Sequence, residues 1–415
     1  MKKKILIIGG GAREYALGRK LKEDTRIGEL YFCPGNGGTQ SIGENIPLEE
    51  YTQIVDFALQ KGIDLVVIGP EEPLVGGLAD MLKESGLAVF GPSKKASILE
   101  GSKSFTKNLA TQYHIPTAPY CIVRDHTLAQ EQVAALGFPL VVKVDGLSGG
   151  KGVVVVQSEE EYKQILGQLL LQEKHSKVLV EQYLRGFELS IFALVHHQNY
   201  LLLPPCHDYK KLTPEGPNTG GMGAFAPSNL CDEALKSKIA SQIIEPTLKA
   251  MVEAGTPFIG VLYAGIMVVE HEGQLEPYLL EFNVRLGDPE CSVLLPLLKT
   301  PLLDLLEATL EDRLDTIELE LHPQHTLGVV LASKDYPYKI SGGQNVYIDP
   351  MNEKNAHLDL GKIVQENGVF LVSGGRVCVC VGWGKSLSEA KNHAYNLVKK
   401  VQFEGMQFRE DIGSL

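Results

Sequence analysis

The first hundred residues alternate short apolar runs with amphipathic stretches, and that alternation leaves few folds open. "KILIIG" (4–9), "ELYFCPG" (29–35), "DLVVIGP" (64–70) and "AVFGP" (88–92) read as buried strands. Between them, "AREYALGRKLKED" (12–24), "YTQIVDFALQKG" (51–62) and "LVGGLADMLKESG" (74–86) carry apolar residues at helical spacing. Strand–helix alternation of this kind predicts a doubly wound parallel sheet. Ligands of such sheets bind at the carboxyl ends of the strands. There the chain has "GGGA", "CPGNGGT" and "GPEEPL". Glu14 stands where a G-x-G-x-x-G motif would need its last glycine. A small phosphorylated ligand at a helix N-terminus therefore fits this edge better than a dinucleotide.

After residue 100 the pattern changes. A helix over 102–114, a Pro-marked break at "IPTAP" and a helix over 128–136 come first. Strands over 139–146 and 153–157 then flank "LSGGKG", followed by a helix over 159–172 and a strand over 177–184. This small α+β module reads as a lid. Strands "FELSIFALVH", "FIGVLYAGIMVVE" and "LEPYLLEFNV" follow, the last two joined by a glycine turn at "HEGQ", and a helix over 301–312 closes the block. The tail reads as short strands plus one helix, "SLSEAKNHAYNLVKKV". The expected organisation is an α/β and α+β multidomain chain. Residues 1–100 form a Rossmann-like substrate-binding domain, 101–325 a central domain with its lid at about 115–188, and 326–415 a mostly β domain.

A net charge of −12 over 415 residues speaks against nonspecific nucleic-acid binding, which needs a basic surface. It leaves room for a local basic pocket. "PFIGVLYAGIMVV" is shorter than a membrane-spanning helix requires, and the apolar run of "MKKKILIIGGG" is too brief for a signal peptide. Seven scattered cysteines without a CxxC pair fit a reducing, cytoplasmic setting.

Four stretches carry chemistry. In "KVDGLSGGKG", Lys143 ends a strand and Lys151 sits in a glycine loop, an arrangement that suits a polyphosphate. In "EQYLRGFE" (181–188), a strand edge and hinge can pair with an adenine ring, and Glu188 is placed for ribose hydroxyls. In "YLLEFNVRLGDPE" (278–290), strand alternation puts Leu280, Phe282 and Val284 on the core side and Glu281, Asn283 and Arg285 together on the other. Glu and Asn are hard oxygen ligands suited to Mg²⁺, and Arg can hold a phosphoryl oxygen with two bonds. A solvated strand face with an ion pair is the bland alternative. In "GPNTGGMGAFAP" (216–227), Gly220, Gly221 and Gly223 would clear space for a close approach, Asn218 and Thr219 would offer polar contacts, and Met222 would anchor the loop in the core. The first three of these describe an ATP and magnesium site between two α+β layers.

The chain resembles the ATP-grasp superfamily and, within it, the phosphoribosylamine–glycine ligases. The resemblance runs nearly end to end through "GGGARE", "PGNGGT", "GPEEPLVGGL", "FGPSKKASILEGSK", "VKVDGLSGGKGV", "GPNTGGMGAFAP", "EFNVRLGDPE", "SGGRV" and "REDIG". It implies an ATP-grasp central domain with cofactors ATP and Mg²⁺, or Mn²⁺ in its place. The implied reaction phosphorylates the glycine carboxylate to an acyl phosphate, which the amine of 5-phosphoribosylamine attacks. By this resemblance Lys103 and Lys143 contact ATP phosphates under the loop of Gly150, Lys151 and Gly152. Glu181, Tyr183 and Leu184 meet adenine, and Glu188 meets ribose. Glu281 and Asn283 bind the metal, Arg285 stabilises the transferred phosphoryl group and Asp288 orients the glycine amine. Gly11, Asn36, Gly37, Thr39, Glu71 and Arg376 line the phosphoribosylamine pocket. A monomer is expected, with a transient contact to the enzyme that supplies the amine.

The chain departs from the family at Tyr15, Tyr209, Lys211, Pro214 and Ser292, positions that the sequence places near the substrate side. They leave open a carboxylate–amine ligase with a different acid or acceptor. A non-catalytic nucleotide sensor and an NAD-dependent dehydrogenase are further alternatives. The intact Lys143, Glu281, Asn283 and Arg285 weigh against the sensor.

Overall fold

The structure is a computed structural model that describes residues 2–124, 130–147, 152–172, 177–351 and 353–414. Strands β1 (Lys3–Gly9), β2 (Ile27–Pro34), β3 (Glu44–Asn45), β4 (Leu65–Ile68) and β5 (Val89–Phe90) form a sheet in the order β3-β2-β1-β4-β5. All its pairings are parallel. Ile5 to Ile8 are buried without alternation, because helices cover both faces of such a sheet. The single helix expected over 74–86 is two, Glu71–Gly76 and Leu78–Glu84. The break falls at Gly77, whose φ of +98° suits a residue without a β-carbon.

The lid sheet consists of β6 (Tyr120–Val123), β7 (Leu140–Val144), β8 (Val153–Val156) and β9 (Val178–Gln182), ordered β6-β9-β7-β8 and antiparallel. Valines 123, 142, 156 and 180 give it a core of its own. The expected helix over 128–136 is described from Gln130 to Leu136, its first two residues lying outside the described ones. The helix over 159–172 is α-helical to Gly167 and then widens to a π-turn over Gln168–Gln172.

Strands β10 (Phe187–His196) and β11 (Asn199–Leu202) lead to β12 (His207–Asp208) and β13 (Gly223–Ala226), which flank the glycine-rich loop. The hairpin β14 (Ile259–His271) and β15 (Gln274–Asn283) turns at Glu272–Gly273 and completes a sheet ordered β11-β10-β14-β15. Gly265 pairs with Glu281 while the next residue, Ile266, pairs with Leu279. Leu280 is thus the extra residue of a β-bulge, and the expected alternation is corrected there. Leu279, not Leu280, takes the core position, whereas Phe282 and Val284 are buried as alternation predicts.

The last region holds β16 (His325–Ala332), β17 (Asn345–Ile348), β18 (Ala356–Leu360), β19 (Ile363–Glu366), β20 (Val369–Val372), β21 (Arg376–Gly384) and β22 (Val401–Gln402). One sheet runs β12-β13-β16-β21-β18, so the strands around the glycine-rich loop are stitched to the C-terminal strands. The Leu387–Val398 helix covers this sheet with Ala390, Ala394 and Leu397.

Candidate active site

The nucleotide side is built where the lid meets β15. Lys143 lies opposite Leu179 and Glu181 opposite Val141, which puts Lys143 and Glu181 on one face as diagonal neighbours. Glu181 forms ion pairs with Lys143 at 2.9 Å and with Lys107, on the Lys103–Gln112 helix, at 3.0 Å. Burial would raise the Glu181 carboxyl, but the two ammonium groups outweigh it and hold it below the usual range. The carboxylate given to adenine by resemblance is thus taken up by lysines and is 1% exposed. Tyr183, 41% exposed, and the half-buried Leu184 follow the strand end as an open-sided hinge.

Lys103 donates to Gly146 O at 2.7 Å. Burial lowers its pKa, and Glu281 opposes that shift. The start of its helix is bolted to the end of β7. Ser102 caps Phe105 N, and Asp145 accepts from Ser104 N at 3.0 Å and from Lys177 at 2.6 Å. Gly150 and Lys151 lie outside the described residues. Gly152 O accepts from Val144 N at 2.8 Å.

Glu281 and Asn283 end β15 side by side in register. Among the described residues Glu281 has no partner at hydrogen-bond or ion-pair distance. Burial would raise it, yet Lys210, Lys143, Lys103 and Arg285 together keep it ionised. Asn283 Oδ1 accepts one bond, from Arg285 at 3.2 Å, and keeps a second lone pair. An ionised carboxylate without a direct partner beside an amide oxygen fits a hard divalent cation whose remaining ligands are phosphates and water.

Arg285 binds Glu71 at 3.1 Å and Glu100 at 2.9 Å. Glu71, expected in the phosphoribosylamine pocket, is thus paired with Arg285, expected at the phosphoryl group. Burial raises its carboxyl, but Arg285 and Arg13 bring it down to about 2. Glu100 went unnoticed in the sequence because a lone glutamate at a helix end carries no pattern. It also accepts from Val284 N at 2.8 Å, and burial pushes it up to about 7 against the pull of Arg285.

A further set of loops converges around Asp288. Arg376 reaches Asp288 Oδ2 at 3.3 Å, donates to Gly220 O at 2.6 Å and bonds Asp288 O. Tyr336, also missed in the sequence, receives Gly220 N at 2.8 Å. A β-carbon on Gly221, at φ +117°, would lie 2.6 Å from Pro289 Cδ. That glycine is thus needed for the protein's own close approach, where the sequence suggested clearance for a ligand. Met222 is 0% exposed and anchors the loop. Thr219 is held by Lys210 O and Gly221 N, and Asn218 bridges to Lys211.

Asn36 donates to Gly10 O and Leu360 O and accepts from Gly38 N and Thr39 N. Its side chain is saturated. Thr39 bonds Asn36 and Asn45, Gly37 N donates to Ile363 O at 2.9 Å, and Gly11 N donates to Glu14 at 2.6 Å. These residues shape the loop and tie it to the C-terminal strands.

A third cluster, absent from the sequence reading, lies beneath. Lys210 pairs with Glu188 at 2.9 Å, so the carboxylate expected at ribose is engaged here. Ser190 joins Asp208 and Tyr263, both at 3.0 Å. Burial raises Asp208, and it raises Glu290 to about 7.

Comparison with known proteins gives three consecutive matches along the chain. The phosphoribosylglycinamide synthetase N domain matches residues 3–100, the ATP-grasp (A) domain residues 101–291 and the C domain residues 326–415. The chain belongs to the phosphoribosylglycinamide synthetase family. Phosphoribosylamine–glycine ligase of Helicobacter pylori (strain J99) is 46% identical over 411 residues, which cover 99% of this chain and 96% of the relative. That of Caldanaerobacter subterraneus subsp. tengcongensis is 40% identical over 425 residues, 99% of each. The crystal structure of Thermotoga maritima phosphoribosylamine–glycine ligase superposes with a TM-score of 0.85 at 32% identity, over 98% of this chain and 99% of the other. The biotin carboxylase domain of Hydrogenobacter thermophilus 2-oxoglutarate carboxylase shares the fold, with a TM-score of 0.73 at 18% identity over 98% of this chain and 92% of that one. The family is of the ATP-grasp type, which uses ATP and a divalent cation.

Proposed function

We infer that the chain ligates glycine to 5-phospho-D-ribosylamine with ATP, giving glycinamide ribonucleotide, ADP and phosphate. The observation that carries this is the set of cations, Lys210, Lys143, Lys103 and Arg285, that act on the Glu281 carboxylate beside Asn283. A second gathering point is Asp288, where Arg376 ties in the Gly220 loop. A carboxylate oxygen of glycine attacks the γ-phosphorus and ADP leaves. The amine nitrogen then attacks the carbonyl carbon of the glycyl phosphate, phosphate departs with the C–O bond electrons, and the nitrogen loses a proton. Mg²⁺ held by Glu281 and Asn283 would neutralise phosphate charge when bound.

The protein's own part is positioning and electrostatics. Lys103 and Lys143 hold the polyphosphate, and the planar guanidinium of Arg285 faces the phosphoryl group in flight. Arg285 turns toward that group from Glu71 and Glu100, and its release of Glu71 would free a carboxylate for the ribosylamine. Asp288, held by Arg376, orients the glycine amine.

Three of the departures from the family, Tyr15, Tyr209 and Lys211, bear less on the substrates than their sequence positions suggest. The Tyr209 hydroxyl bonds Ser414 O and Gly413 N, and Tyr15 packs on the same C-terminal core. Lys211 is solvent-exposed. This placement favours the glycine and ribosylamine pair over another acceptor. Purified protein with ATP, Mg²⁺, glycine and freshly generated phosphoribosylamine should release phosphate and form the amide. Release only with another acid or amine would overturn the reading.

A further inference from the structure

Lys107 is among the largest fully buried side chains of the protein, at 2% exposure. A buried ammonium is costly unless it is paired and hydrogen-bonded, and the nucleotide chemistry above leaves this one unused. Its surroundings form a closed ring. Lys107 meets Glu181 Oε2 at 3.0 Å, and Glu181 Oε1 meets Lys143 at 2.9 Å. Lys143 donates on to Leu280 O at 3.3 Å. From the other end, Lys107 donates to the Thr117 hydroxyl, which donates to Leu279 O at 2.7 Å. Leu279 N in turn donates to Pro116 O at 2.8 Å. The ring thus joins the Lys103–Gln112 helix, the lid strands and the bulge of β15 at Leu279–Leu280, immediately before the Glu281–Asn283 pair. The Tyr120 ring lies over the Lys107 ammonium at 5.7 Å and completes its enclosure.

We propose that Lys107 is a positioning residue that, through Glu181, fixes the Lys143 ammonium where the nucleotide phosphates are met. This rests on the nucleotide-binding part of the reading above. Lysine is a point charge on a flexible four-carbon stem, so its direction must be set by its partners. The bulge frees the Leu280 carbonyl from the regular ladder to be one partner, and Glu181 is the other. With Lys107 gone, Glu181 and Lys143 would remain a neutral pair free to swing together. With Lys107 present, the cluster holds two ammonium groups to one carboxylate and carries excess positive charge toward the cleft.

The test measures ATP binding by calorimetry with Mg²⁺ and no acceptor, alongside thermal unfolding and the KM for glycine. Lys107→Met should weaken ATP about tenfold, as loss of a charge-assisted bond would, while the glycine KM stays within about twofold. Thr117→Val removes the hydroxyl without changing any charge and should weaken ATP about threefold. Normal ATP affinity in both folded variants overturns the proposal, as does a glycine KM that shifts as far as the ATP affinity does. Should Lys107→Met not fold, Thr117→Val alone decides. The calorimetry contains no acceptor, so failure of the glycine or ribosylamine assignment would appear only in the glycine KM and in product formation and leave the ATP affinities intact.

Discussion

Two charge clusters beside Glu281 have opposite composition. On the lid side one carboxylate, Glu181, lies between two ammonium groups, Lys107 and Lys143. On the N-terminal side one guanidinium, Arg285, lies between two carboxylates, Glu71 and Glu100. The first cluster is left with positive charge for a polyphosphate. The second is near neutral when Glu100, which titrates at about 7, keeps its proton and leaves Arg285 and Glu71 as a pair. In each, the odd group binds the other two together, so neither can be read from pairwise ion-pair counts. Burial makes the asymmetry matter, since charges in a low-dielectric setting act over longer distances than on the surface.

The largest expected effect breaks the site between them. Glu281→Gln should lower phosphate release by about 10³-fold or more while the thermal midpoint stays put, because the cation and the lysines both lose their carboxylate. Near-normal turnover would refute the metal assignment. Next, Glu181→Gln should cost about 3 kcal/mol of stability, since two buried ammonium groups would lose their shared counter-charge. Denaturant midpoints measure this, and a loss below ~1 kcal/mol would mean that the lysines find other partners.

The second cluster is probed through pH. Glu100 titrates at about 7 when folded and near ~4.3 when unfolded, so the folded state holds a proton that the unfolded chain releases between those values. Its contribution is fully present below pH ~4 and is lost as pH rises toward about 7. Glu290, also raised to about 7, adds a slope of the same sign. Glu71, held at about 2, contributes stability above pH ~4.3 that is lost only as the pH falls through that range. Glu100→Gln should flatten the fall between pH 5 and 8 by about 2 kcal/mol in urea titrations. Identical slopes in the two proteins would show that Glu100 is ionised throughout. The smallest effect is at the amine end. Tyr336→Phe removes the acceptor of Gly220 N and should cost about 1 kcal/mol or less in substrate affinity, seen as a few-fold rise in KM.

The parallel sheet was legible in the first hundred residues because a doubly covered strand must be apolar throughout, as Ile5–Ile8 are. The Glu281–Asn283–Arg285 line was legible because polar side chains at period two on a buried strand need a purpose. The bulge at Leu280 was not, since an extra residue in one strand shows only when its partner's register is known. Nor was the role of Glu100 or Lys107, each of which sits on a helix with no motif and meets its partners from distant segments.

By itself, then, the sequence determined the layered architecture, the family and the strand that ends in a line of polar residues, because these depend on local periodicity and short-range spacing. Tertiary structure alone decided how charge is shared. It placed Glu181 between two lysines and Arg285 between two glutamates. It turned Tyr209 and Tyr15 toward the C-terminal core and packed Gly221 against Pro289. Those outcomes depend on burial and on long-range contacts, where the desolvation of a charge and the few ångströms to its partner set the energy, and neither quantity is written along the chain.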